Sequence, residues 1–217
     1  MDPFDIFLPL HIVAGTAALL TGTVNILRKK GDPLHRREGR IFFISMMLVG
    51  ASALLLSVLH PNAFLFIVGV FTIYLVGTAK RYLSLKDLAH GQKPGAIDLS
   101  LTIGMLVFGL AFLGYGALLL WQGGAFGVVL LVFGSLALRM VYSDFNNFRG
   151  RTKYANTWLL VHLQRMIGGY IAAMTAFLVV NVQDTRIPGF VFWLLPTAIL
   201  VPLIFRWSRH YGAPRAH

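Results

Sequence analysis

The stretch HRREGRIFFISMMLVGASALLLSVLHPN, residues 35–62, decides the fold. It opens on His35, Arg36, Arg37, Glu38, Gly39 and Arg40, runs without a charge over residues 41–59, and stops at His60, Pro61 and Asn62. About 20 apolar residues cross a hydrocarbon core, and Lys and Arg gather on one side of a membrane. The segment therefore reads as a spanning helix with one basic end and one bare end. Met46, Gly50, Ala53, Ser57 and His60 recur along it at helical spacing. Small residues in such a stripe let a neighbouring helix approach closely, so this face is expected to meet protein rather than lipid.

Outward from this segment the same unit repeats. Apolar runs over residues 6–27, 41–59, 63–79, 99–120, 127–142, 158–182 and 190–207 predict seven transmembrane helices. The fold expected is an all-α polytopic bundle forming one membrane domain over residues 1–217. Composition agrees, with 57% hydrophobic and only 12% charged residues, against about a quarter charged in soluble domains. A water-soluble globule and a disordered chain are both excluded. With no cysteine, disulfides, thiolate metal sites and Cys-ligated iron–sulfur clusters are excluded as well.

The formal charge of +11, from 19 Lys+Arg against 8 Asp+Glu, would suggest nucleic acid in a soluble protein. Here its placement gives another reason. Arg28, Lys29, Lys30, Arg36, Arg37 and Arg40 lie in the first connection, and Lys80, Arg81, Lys86 and Lys93 in the third. Arg139, Arg149, Arg151 and Lys153 surround the fifth, and Arg206, Arg209 and Arg215 follow the seventh span. The second and fourth connections have no basic residue and the sixth has only Arg186. This alternation predicts the N-terminus outside and the C-terminus in the cytoplasm, with the basic loops against anionic lipid headgroups and no nucleic-acid partner.

Polar side chains at membrane depth are costly and mark function by default. No acidic residue falls within the seven runs. His11 starts a stripe with Gly15, Ala18, Gly22 and Asn25, and is expected at an outer depth comparable to that of His60. One reading makes both structural histidines; the other makes them axial ligands of haem b. In the sixth span His162 and Arg165 lie one turn apart near the cytoplasmic side, with Arg139 at a similar level. Arg139 and Arg165 either snorkel to the interface and pair with Asp144 and Asp98, or form an anion or propionate pocket with His162. His35 is expected as an inner ligand opposite His162, or as part of a topology anchor. His90, His210 and His217 read as solvated loop or tail residues, and Pro196 with Pro202 predicts a kinked seventh helix.

The sequence resembles a family of bacterial multi-pass membrane proteins known as domain of unknown function 2306. The residues that carry the likeness are His35 to Arg40, Trp158 with His162, Met166 to Ala173, Thr175 to Phe177, and Trp193 to Thr197. The resemblance implies a helical bundle in the bacterial cytoplasmic membrane and brings no activity with it. Three activities remain open on these residues, beside a non-catalytic assembly partner. The first is a redox or cofactor-binding protein holding haem b or a quinone on His11, His60, His35 and His162. The second is a transporter or channel for a small or anionic solute using the Arg139 and Arg165 pocket. The third is a metal-dependent intramembrane hydrolase, for which histidines split between two leaflets are awkward. An oligomer is compatible with each.

Overall fold

The computed structural model describes residues 2–182 and 186–213. Among them the chain forms seven long helices and one 3-10 turn, with no strand: α1 (Pro3–Leu27), α2 (Pro33–Leu59), α3 (Ala63–Tyr82), the turn Leu88–His90, α4 (Ala96–Trp121), α5 (Phe126–Phe148), α6 (Thr157–Asn181) and α7 (Phe190–Tyr211). Each is long and apolar enough to cross a bilayer, the shortest having 20 residues, which is about 30 Å of helix. The all-helical expectation and the count of seven both hold among the described residues.

The helices are longer than their apolar runs. α2 starts at Pro33, so the basic run from His35 to Arg40 forms helical turns rather than a connection. Its start is set by Asp32, whose carboxylate accepts the His35 N–H at 2.6 Å, and by Pro33 at the first position, where a missing N–H costs nothing. α5 continues to Phe148, beyond the expected end at residue 142, and stops before Gly150 at φ +73°. Hydropathy marks where contact with lipid ends; the hydrogen-bond ladder continues until a cap or a turn stops it. Asp98 and Asp144 consequently lie inside α4 and α5, correcting the expectation that no acidic residue occurs in a spanning helix. His210 likewise belongs to the last turn of α7 rather than to a tail. α7 continues through Pro196 and Pro202.

The described residues divide into two compact units, one of residues 2–80 with 159–182 and 186–212 and one of residues 81–158 with Ala213. In the first unit the core joins five helices through Ala18, Phe42, Met46, Val76, Leu163, Ile167, Tyr170 and Leu200. The predicted stripe of α2 is buried at Met46, Gly50, Ala53 and Ser57, and that of α1 at Ala18 and Gly22. The space left by Gly22 is filled by the rings of Tyr170 and Phe42.

In the second unit α4 and α5 form a hairpin whose turn has Gly123 at φ +79°. Asp98, Thr102, Met105, Gly109, Phe112 and Gly116 are buried on α4; Gly127, Leu130, Gly134, Ala137, Val141 and Asp144 are buried on α5. Spacings alternate between three and four, the repeat of a packed helix seam. Glycines make the contact close, since a Cβ on Gly127 would lie 2.5 Å from the Gly116 carbonyl oxygen.

Candidate functional site

In the first unit the polar side chains of α1, α2, α3 and α6 gather where α2 and α6 begin. His162, in the second turn of α6, donates from Nδ1 to the carbonyl of Ala79 at 2.9 Å. A carbonyl can only accept, so the proton sits on Nδ1 and the neutral ring presents Nε2 as an acceptor. With the Asn25 carboxamide turned so that its oxygen accepts the Gly39 N–H at 2.8 Å, the orientation that satisfies both ends of the amide, Nδ2 donates to His35 Nδ1 at 3.2 Å and to the His35 carbonyl at 3.3 Å. A neutral His35 therefore carries its proton on Nε2 and presents a donor. His35 stands in the first turn of α2 and His162 in the second turn of α6, within the same unit. The two rings thus carry opposite tautomers, one presenting a donor and the other an acceptor, and Asn25, the last member of the α1 stripe, selects the donor.

Arg165 follows one turn deeper. It is 5% exposed, and its guanidinium carbon lies 5.0 Å from the centre of the Tyr74 ring, a cation–π contact strengthened by removal from water. Tyr170, a further turn along, shares a hydrogen bond of 2.6 Å with Thr23. Asn25, His35, His162 and Arg165 make up the candidate site.

The structure treats the other expected ligands differently. His11 Nδ1 meets Ser52 Oγ at 2.8 Å, and Ser52 donates its own hydrogen to the Leu48 carbonyl at 2.7 Å, so His11 is the donor. His60 is exposed at the end of α2 and packs on Phe4, with ring centres 4.1 Å apart. From Ser52 to His60 is two helical turns, about 12 Å at 1.5 Å per residue. His11 and His60 therefore do not share a level, because the helix partner of His11 is Ser52. Arg139 is exposed on α5. His90 is exposed, whereas Arg215 and His217 lie outside the described residues. Among the described residues no three His, Asp or Glu side chains converge as a metal-ion site.

A second polar cluster, which the sequence reading missed, lies in the second unit. Arg81 at the end of α3 holds Asp98 through two bonds, Nε at 2.7 Å and a terminal nitrogen at 3.0 Å. Asp98 also accepts the Gly95 N–H at 2.8 Å and so closes the first turn of α4. Beside it Asp144, fully buried, accepts from Tyr82 at 2.6 Å and Thr102 at 3.3 Å, and Asn147 donates to the Tyr82 oxygen at 3.1 Å. The available signal was the position of both aspartates on the small-residue seams of α4 and α5, one and two residues beyond the apolar runs.

Seven helices long and apolar enough to cross a membrane, with buried polar clusters between them, define a multi-pass helical membrane protein. Residues 8–92 match the family described as "Predicted membrane protein (DUF2306)", an uncharacterised membrane protein family. The match takes in most of α1, all of α2 and α3, and the turn Leu88–His90, including His35 to Arg40. It ends before Trp158, His162 and the α7 residues that also carried the resemblance. No curated protein and no solved structure matches the chain significantly.

Proposed function

We propose that the protein binds a quinone, as a redox component of the bacterial cytoplasmic membrane with its N-terminus outside. The observation that carries this reading is the tautomer pair. A quinol hydroxyl needs one acceptor for its proton and one donor for its lone pair; His162 Nε2 offers the first and His35 Nε2–H the second. Two axial haem ligands would both need a bare nitrogen facing iron. The Asn25 bond places the proton of His35 on the nitrogen that would have to be bare, which favours quinone over haem b here. The basic alternation of the connections supports the orientation.

The test is quinone content of the detergent-purified protein, measured by solvent extraction and chromatography, beside a dithionite-reduced absorbance spectrum. About one quinone per chain is expected, with no Soret band. His162→Ala should weaken binding of a short-chain quinone about tenfold, the scale of one buried hydrogen bond. A reducible Soret band with stoichiometric iron would replace the quinone with haem. A second reading, passage of a small anion, draws on the burial of Arg165 within a spanning helix. Anion flux in proteoliposomes unchanged by Arg165→Gln would remove it.

A further inference from the structure

The last turns of α7 hold a groove that the quinone reading does not use and on which it does not depend. Val201, Pro202 and Phe205 form its apolar side; Arg206, Arg209 and His210 form its polar side, and no acidic side chain among the described residues lines it. Phe205 is 64% exposed, and both arginines are exposed. Trp207 closes one wall and is fixed from the first connection, since the Lys30 ammonium lies 4.1 Å from its ring centre. Lys30 in turn donates to the carbonyls of Asn25 and Ile26, each at 2.8 Å, and of Arg28 at 3.1 Å. Those bonds use all three ammonium hydrogens, so Lys30 shapes the wall and leaves the two guanidiniums to meet a ligand.

We propose that this groove binds an anionic phospholipid, its phosphate held by Arg206 and Arg209 and an acyl chain lying along Val201, Pro202 and Phe205. Charge complementarity selects the headgroup. Two guanidiniums three residues apart on one helix repel each other, and a phosphate between them converts repulsion into charge-assisted hydrogen bonds. The surroundings select a lipid over free phosphate. The groove is half apolar and its tryptophan and tyrosine belong to residue types that sit at headgroup level. The apolar side has nothing to offer a small ion.

The experiment titrates the purified full-length chain with fluorescent phosphatidylglycerol, with phosphatidylcholine bearing the same label as the neutral arm and inorganic phosphate as competitor. Arg206→Gln with Arg209→Gln should weaken phosphatidylglycerol binding about tenfold, on the scale of basic residues acting on an anionic surface. Phosphatidylcholine should bind more weakly and be indifferent to the substitutions, millimolar phosphate should not displace the lipid, and Lys93→Gln, in the third connection, should change nothing. Elution profile and thermal midpoint check folding, and Arg209→Gln alone serves if the double variant does not fold. Equal affinity for phosphatidylcholine, full displacement by phosphate, or an equal loss in Lys93→Gln would each overturn the proposal.

Discussion

Both units are packed through glycine, but the glycines admit different things. In the first unit they receive side chains: Tyr170 enters over Gly22, Ile73 over Gly50 and Val76 over Gly169. In the second Gly116 and Gly127 are set against each other's main chain, and Gly134 meets the Gly109 carbonyl beside the Leu113 side chain, while Gly109 meets only the side chains of Ala137 and Leu138. A side chain can change rotamer when its neighbour changes, whereas a main chain held by its own hydrogen bonds moves only as a whole helix. The first unit is therefore the adaptable half, and it also carries the candidate site. Charge is handled in the same contrasting way. Asp32 caps α2 from outside the helix, while Asp98 caps α4 from within, where its side chain is 1% exposed and held by Arg81.

The largest effect expected from this contrast follows loss of the Arg81 partner. Arg81→Gln leaves the Asp98 carboxylate buried without its cation and should destabilise the protein by about 2–3 kcal/mol, less than a fully buried pair because Arg81 itself is partly exposed. Unfolding by dodecyl sulfate from mild detergent, followed by circular dichroism, measures it, and Asp98→Asn on the same background should recover part of the loss. A variant as stable as the parent would mean the pair is not a structural anchor. Next comes the glycine comparison in the same assay. Gly127→Ala, with main chain in the way, should cost about 2–3 kcal/mol, and Gly50→Ala, where Ile73 can turn aside, about 1 kcal/mol or less. If Gly50→Ala proves the more damaging, the division between side-chain and main-chain glycines fails.

How far the sequence could be read follows the same division. Apolar length and basic alternation specify the number of helices because lipid and its headgroups act on every residue alike. The stripes Met46–Gly50–Ala53–Ser57 and Ala18–Gly22 were legible because a single helix period encodes them. The Arg81–Asp98 and Tyr82–Asp144 bonds were not, for each joins residues 17 or 62 positions apart across different helices. His162 and Arg165 could be picked out one by one. What makes the site distinctive, the proton placement on His35, depends on Asn25 arriving from α1, and periodicity does not carry information about which polar atoms meet. His11 and His60 failed to share a level for a related reason: depth counted along one helix says nothing of the stagger between two.

The smallest effect, and the one that sharpens the contrast between the two capping aspartates, is a pH dependence at Asp32. The His35 N–H and, after it, the Arg28 guanidinium at 3.0 Å hold this carboxyl below its ordinary value. A carboxyl whose folded pKa is depressed binds its proton more readily in the unfolded chain. Its stabilisation is thus complete above the unfolded value of about 3.9 and disappears as pH falls through the lower folded value. Asp32→Asn keeps an oxygen for the cap but no charge to lose, so its thermal midpoint should lie below the parent's at pH 6 and converge on it as the medium is acidified below pH 4. A gap between parent and variant that stays constant down to pH 2 would mean that the carboxylate charge does not stabilise the start of α2. The start of α4 would then be the only one of the two that depends on an ion pair.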